Sequence, residues 1–194
     1  MTQDQDATPV SGADVQAQAE AQVRDDACIE GCDTCLPVQN GATQWQSYQN
    51  DTTRDPRKSR VEAAEYQSFV TGLPHDAALQ RSLEWALDGY AWDGIESPTC
   101  TLLEAKHGYD EGYLRDDWGG AAPVPMDWVA AAGIFPRMLR QARSQVDKLQ
   151  AYKPEAKLHW CFSRQRPSIY FIHLINRANM TEPTVRWIPK PGDI

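Results

Sequence analysis

No run of apolar residues in this 194-residue chain approaches the ~20 that a bilayer-spanning helix requires, which excludes an ordinary transmembrane segment. The N-terminus lacks a basic region followed by an apolar stretch. It is acidic and Gln-rich instead, so no signal peptide is read, and any export is expected to take another route. There is no glycine-rich phosphate loop, no dinucleotide-binding glycine pattern and no internal repeat. A serine triad needs no neighbouring residues in sequence, and nothing here favours one. A surplus of positive charge is missing too: the formal charge is -8, which at first sight argues against a polyanionic partner.

That charge is unevenly placed. Residues 1–50 hold eight acids against one base, while the rest of the chain holds nineteen acids against eighteen bases. Within the near-neutral part the bases cluster: Arg54, Arg57, Lys58 and Arg60 form one group, and Arg137, Arg140 and Arg143 recur every three residues on a predicted helix. Phosphate contacts need local positive potential, not a basic whole, so Arg57, Lys58, Arg60, Arg137, Arg140 and Arg143 are candidate nucleic-acid contacts. The plainer reading of the same arginines is a solvated helix face. Residues 1 to about 27 read as linker, poor in aromatics, with a helix-prone ADVQAQAEAQVR stretch that has no apolar face to dock. Cys28, Cys32 and Cys35 follow with C-x3-C-x2-C spacing. No fourth metal ligand lies nearby, and a loosely ordered connector or a partial disulfide is favoured over zinc.

The densest chemistry lies in YAWDGIESPTCTLLEAKHGYD, residues 90–110. Side chains of a strand alternate, so Glu104 and Lys106 share a face with Cys100 and Leu102, and Thr101, Leu103 and Ala105 line the other. A carboxylate and an ammonium near the end of an apolar strand are costly to bury unless paired, and a divalent metal offsets that cost. Asp93 and Glu104 with the backbone carbonyl of Ala105 supply hard oxygen ligands suited to Mg²⁺ or Mn²⁺. Lys106 is then placed to orient or deprotonate an attacking water and to offset charge on a phosphate. An isolated Glu-x-Lys is more often an ordinary strand-edge ion pair, the pattern being short and common.

The wider pattern adds Asp-Gly after an aromatic, a short Cys-bearing loop, Leu-Leu-Glu-Ala-Lys, Tyr66-Gln67 with Thr71-Gly72 upstream, a Gln-bearing helix downstream and the LHWCF strand. Over about residues 60 to 190 this resembles the PD-(D/E)xK nucleases, and among them the restriction-endonuclease-fold toxin 5 family of bacterial polymorphic toxins. The Pro of the superfamily name is replaced by Trp92 before Asp93. The resemblance implies an α/β restriction-endonuclease-like fold, a mixed central sheet flanked by helices, with an αβββαβ core plus a C-terminal helix and strand. It implies an acid on the first helix, for which Glu65 is the candidate, and active-site glutamines after the Glu-x-Lys strand, for which Gln141 and Gln145 are candidates. It also divides the chain into an acidic linker with a Cys-rich connector, residues 1–50, and a nuclease toxin domain, residues 51–194.

Periodicity supplies the elements. A helix is expected from about Arg57 to Thr71, stopped by Gly72 and Pro74. Leu83, Trp85 and Leu87 alternate, Asp88-Gly89 makes a two-residue turn, and Tyr90 and Trp92 alternate again. This predicts a hairpin that the 99–106 strand extends to three antiparallel strands. Residues 108–125 read as loop. A short helix over 126–133 precedes a longer one from Pro136 to about Tyr152, its buried stripe formed by Leu139, Ala142, Val146 and Leu149, with Gln141 and Gln145 on a different side. Leu158, Trp160 and Phe162 mark a strand. Cys161 near His159 invites a thiol-nucleophile reading, but core packing suits them better. Residues 167–179 are assigned to helix from Pro167 and the resemblance, and Thr184–Ile188 to an edge strand.

The function expected is metal-dependent hydrolysis of DNA with little sequence preference, leaving a 5′-phosphate and a 3′-hydroxyl. The protein would be an effector carried by a secretion or delivery module into the cytoplasm of a target bacterium, with no membrane partner. A cell making such an enzyme must block it, so a cognate, acidic immunity protein is expected. RNA as substrate and a non-catalytic binding module on the same fold are the alternatives. Ala substitutions at Glu104 and Lys106 are expected to abolish activity and leave the fold intact.

Overall fold

The structure is a computed structural model that describes residues 35–48, 60–109, 112–116 and 122–192. Cys28, Cys32, Arg54, Arg57 and Lys58 lie outside these residues. The N-terminal helix α1 spans Leu36–Gln39 and leads into strand β1, Ala42–Ser47. Helix α2 covers Arg60–Thr71, and its final Thr71 Oγ1 accepts from the Leu73 N–H at 3.1 Å before Pro74. Strands β2 (His75–Asp76), β3 (Arg81–Leu87) and β4 (Tyr90–Trp92) follow. The β3–β4 turn is the expected one: Asp88 and Gly89 have φ of 49° and 73°, the pair of positive values that a type I′ hairpin demands. The first sheet is antiparallel, ordered β1-β3-β2 with β4 also paired to β3.

The chain bends at Asp93 and enters a second sheet. Strands β5 (Gly94–Glu96) and β6 (Thr101–Lys106) pair antiparallel, so the hairpin and the Glu-x-Lys strand stand in different sheets, not in one three-stranded unit. A two-stranded ribbon, β7 (Leu114–Arg115) with β8 (Val124–Pro125), and the short helix α3 (Asp127–Ala131) lead to α4, Ile134–Leu149. Strand β9 (Lys157–Phe162), helix α5 (Gln165–Arg177) and strand β10 (Thr184–Trp187) complete the order. The second sheet runs β10-β9-β6-β5, with β10, β9 and β6 parallel and β5 antiparallel. This is the mixed sheet flanked by helices that the resemblance implied.

Its two faces are covered differently. Leu102 of β6, Leu158, Trp160 and Phe162 of β9, and Phe135, Met138, Ala142 and Leu149 of α4 share one core with Phe171 and Ile175 of α5. Trp160 and Phe171 stack at 4.6 Å between ring centroids, fixing α5 on the sheet. On the opposite face α2 packs on β6, and its end approaches Gly94 so closely that a Cβ there would sit 2.5 Å from the Thr71 Cβ. Glycine is therefore the only residue type that lets α2 reach the sheet at this point.

Residues 35–48 belong to the folded unit, although the sequence assigned them to the connector. β1 pairs with β3 along its length, the Trp85 indole N–H donates to the Val38 carbonyl at 3.1 Å, and Cys35 forms a disulfide with Cys100 across 65 positions. Cys100 thus joins the connector to the start of the Glu-x-Lys strand, a pairing that spacing alone did not assign.

Candidate active site

Four elements meet at one point. β6 carries Glu104 and Lys106 on the face toward α4, the bend between β4 and β5 presents Asp93, and α4 contributes Gln141 and Gln145. Asp93 Oδ2 accepts from the Ala105 backbone N–H at 2.6 Å, which extends the β5–β6 ladder by a side chain and fixes the carboxylate beside Glu104. The Ala105 N–H thus engages the Asp93 carboxylate.

Glu104 is buried at 4% exposure, and both of its carboxylate oxygens are engaged. Lys106 Nζ donates to Glu104 Oε1 in a close ion pair, and Gln141 Nε2 donates to the same oxygen at 2.7 Å. Gln145 Nε2 donates to Oε2 at 2.5 Å. Lys106 Nζ also donates to Gln141 Oε1 at 3.1 Å and lies 4.7 Å above the Trp160 ring. The Trp160 indole N–H donates to Gln145 Oε1 at 2.8 Å, closing the chain of contacts. A buried ion pair is tolerable only when its remaining lone pairs and protons are satisfied, and the two glutamines do that here.

The stripe of α4 differs from the one that hydropathy suggests. Phe135, Met138, Ala142, Gln145 and Leu149 are the buried positions, and Leu139 and Val146 are only half-buried. Gln145 is fully buried within the apolar stripe because Glu104 and Trp160 supply its partners. Arg137, Arg140 and Arg143 are exposed on the same helix, as expected.

Charges in the site act on one another. Burial first and then the Glu104 carboxylate push the Asp93 carboxyl well above the usual carboxylate range, against the Ala105 N–H. Burial on its own would lower Lys106, but the Glu104 and Asp93 carboxylates outweigh it and raise the ammonium, which stays charged. Glu84 on β3 is a third carboxylate, one that sequence reasoning passed over. Burial and then Glu104 push it up to about 7, partly offset by a hydrogen bond with the Gln67 side chain. The only sequence signal for it was an acid standing between Leu83 and Trp85.

Several candidates lie elsewhere. Glu65 is engaged by Lys190, whose Nζ donates to Oε2 at 2.7 Å, and this pairing holds its carboxyl below the usual range. The structure does not bring it into the Glu104 cluster. The neighbouring Gln67 is the α2 residue that reaches the site, with Nε2 donating to the Asp93 carbonyl at 3.4 Å. Arg60 is exposed at the start of α2. Cys161 is a free thiol buried in the sheet, pushed up to about 12 by desolvation, so it is protonated at neutral pH and unsuited to nucleophilic work. Among the described residues no group of three or more His, Cys, Asp or Glu is gathered as a preformed metal cage.

A family model described as restriction endonuclease fold toxin 5 matches residues 63–165, just over half of the chain. The chain belongs to this family of restriction-endonuclease-fold toxins. The matched span contains Gln67, Glu84, Asp93, Glu104, Lys106, Gln141 and Gln145, so the toxin-family assignment and the buried network coincide. No curated protein matches the chain. Among the described residues of this toxin-family protein, no helix is long and apolar enough to cross a membrane.

Proposed function

We propose that this toxin is a metal-dependent nuclease that hydrolyses phosphodiester bonds of DNA with little sequence preference. The observation that carries the reading is the joint placement of Asp93, Glu104 and Lys106 at one point, held by Gln141 and Gln145. The donor set fits a divalent ion: two hard carboxylates repel each other in a partly desolvated place, and Mg²⁺ takes few protein carboxylates while retaining water. Asp93 and Glu104 would hold it. A bound Mg²⁺ or Mn²⁺ would supply Lewis-acid activation of water and of the phosphoryl oxygens.

The chain's own residues do the rest. Lys106, kept cationic by two carboxylates, stands where it orients the attacking water and offsets negative charge growing on the phosphate. Attack of water oxygen on phosphorus with rupture of the P–O3′ bond leaves a 5′-phosphate and, after proton transfer to the leaving oxygen, a 3′-hydroxyl. Gln141 and Gln145 fix Glu104 so that its carboxylate does not follow Lys106 when substrate enters. Arg137, Arg140 and Arg143 are exposed on the helix whose inner side holds those glutamines and would draw phosphates toward that helix. Backbone contacts of this kind carry no base information, in keeping with weak sequence preference. The same reading includes delivery into a target bacterium's cytoplasm and a cognate acidic immunity protein that covers the arginine row.

The test is plasmid nicking in Mg²⁺ and in EDTA by the parent, Glu104→Gln and Lys106→Met. These substitutions replace the Ala variants because they keep the side-chain volume, so no cavity is added to the cost of unpairing a buried charge, about 3–5 kcal/mol in either case. Nicking that requires metal and vanishes in both folded variants supports the reading. Metal-independent nicking, or full activity in Lys106→Met, would falsify it.

A further inference from the structure

Glu84 has no part in the reaction described above, yet the fold places its carboxylate at the edge of the same site. It stands on β3 between Leu83 and Trp85, whose side chains are each 1% exposed on the other side of the strand. Packing of β3 gives no reason for an acid here, since a partly buried carboxylate without a cation costs free energy that an apolar residue would not. β3 and β4 pair antiparallel with Trp85 opposite Trp92, so Glu84 and Asp93 are the next positions on the two strands, and Gln67 of α2 donates to the Asp93 carbonyl at 3.4 Å. Strand register thus sets Glu84 beside the Asp93 bend. Glu84 is also close enough to Asp93 and Glu104 for mutual repulsion. Glu65, the helix acid expected in this role, is bonded to Lys190 instead.

We propose that Glu84 is the outer carboxylate of the cation site, accepting hydrogen bonds from water carried by a divalent ion at Asp93 and Glu104. The inference rests on the metal-dependent reading of the preceding subsection. A hydrated Mg²⁺ needs one or two direct carboxylates and acceptors for its remaining waters. A third acid standing back from the pair suits that need. Hydrogen bonds from metal-polarised water to an ionised acceptor are of the stronger kind. Glu84 is accordingly a positioning residue.

The experiment is calorimetric titration of the full chain with Mn²⁺, comparing the parent with Glu84→Gln, Glu84→Asp and Glu65→Gln. Loss of an outer-sphere partner weakens metal affinity roughly 10–100-fold, and that range is expected for Glu84→Gln. Glu84→Asp should retain more affinity than Glu84→Gln, and Glu65→Gln should bind as the parent does. A merely structural Glu84 would leave Mn²⁺ affinity unmoved in the folded Gln variant, which overturns the inference and leaves the nuclease reading intact. A parent that binds no Mn²⁺ overturns both. Equal losses in Glu65→Gln and Glu84→Gln would mark a general effect of removing negative charge, and a loss confined to Glu65→Gln would move the outer carboxylate to α2, both against the inference. Should Glu84→Gln not fold, Glu84→Met takes its place: weakened Mn²⁺ binding supports the proposal and unchanged binding sinks it.

Discussion

Gln145→Leu tests the site's architecture without touching a charge. Gln145 is fully buried and bridges Glu104 Oε2, to which it donates at 2.5 Å, and the Trp160 indole N–H, from which it accepts at 2.8 Å. Leucine fills nearly the same volume, so no cavity enters the account. A hydrogen bond to a charged group contributes about 1.5–3 kcal/mol, and a buried donor left unpaired costs about 1–3 kcal/mol. Extra apolar burial by leucine returns about 1 kcal/mol. The net expectation is a destabilisation of about 3 kcal/mol, or a fall in Tm of about 6–12 °C for a chain of this size. Differential scanning calorimetry in EDTA reads it. In a Trp160→Phe background the indole donor is gone, so the same Gln145→Leu change should cost about 1–2 kcal/mol less. A Tm within about 2 °C of the parent would refute the claim that this amide holds Glu104 in place, given the stated hydrogen-bond magnitudes. Equal costs in both backgrounds would remove the coupling to Trp160.

Three other perturbations have outcomes of known sign. Glu84 is pushed up to about 7 from 4.5, so the folded chain keeps that proton longer than the unfolded one, and stability should fall as pH rises through this window. The loss is at most about 3 kcal/mol before discounting for the solvent-exposed part of the group. Asp93 moves in the same direction; Glu104 and Gln67 act on Glu84, and Glu104, Lys106 and Glu84 on Asp93. Urea midpoints in EDTA at pH 5 and pH 8 should therefore differ less for Glu84→Gln than for the parent, and an identical difference would contradict the burial argument. Reduction of Cys35–Cys100, which closes 65 positions of chain, should lower stability by about 4 kcal/mol on the loop-entropy account, visible as a shifted urea midpoint that Cys35→Ser reproduces. An unmoved midpoint would show that the clip does not constrain the unfolded chain. Ala substitution of Arg137, Arg140 and Arg143 should weaken DNA binding for all sequences alike and reduce the salt slope by about 1 for each phosphate no longer neutralised. A weakening confined to particular sequences would assign these side chains to base reading instead.

Periodicity and turn chemistry, both properties of neighbouring residues, were enough to place most elements. Asp88-Gly89 marked the hairpin because few residue pairs accept positive φ twice in succession. Pro167 together with the resemblance marked α5, and the alternation of Leu158, Trp160 and Phe162 marked the central strand. The Glu-x-Lys spacing placed Glu104 and Lys106 on one face before any fold was in hand, and the structure keeps them there as a close pair. The resemblance singled out Gln141 and Gln145, and both donate to Glu104.

What the chain alone determined, then, is the set of local periods and the residue types that carry the chemistry. Tertiary structure decided which polar groups are paired in the interior, because such a pairing depends on a partner that sequence distance does not reveal. Gln145 reads as a surface residue until Glu104, 41 positions away, and Trp160 are seen to bury and satisfy it. Glu65 and Glu84 look alike as acids in sequence, yet Lys190 takes one and the β3–β4 register sets the other beside Asp93. β1 carries a weak alternation of polar residues, and its place in the sheet comes from backbone hydrogen bonding to β3 and from the Cys35–Cys100 bond. A buried polar group costs several kcal/mol when alone and little when matched, so its location is fixed by the match, and the match exists only once the chain has folded.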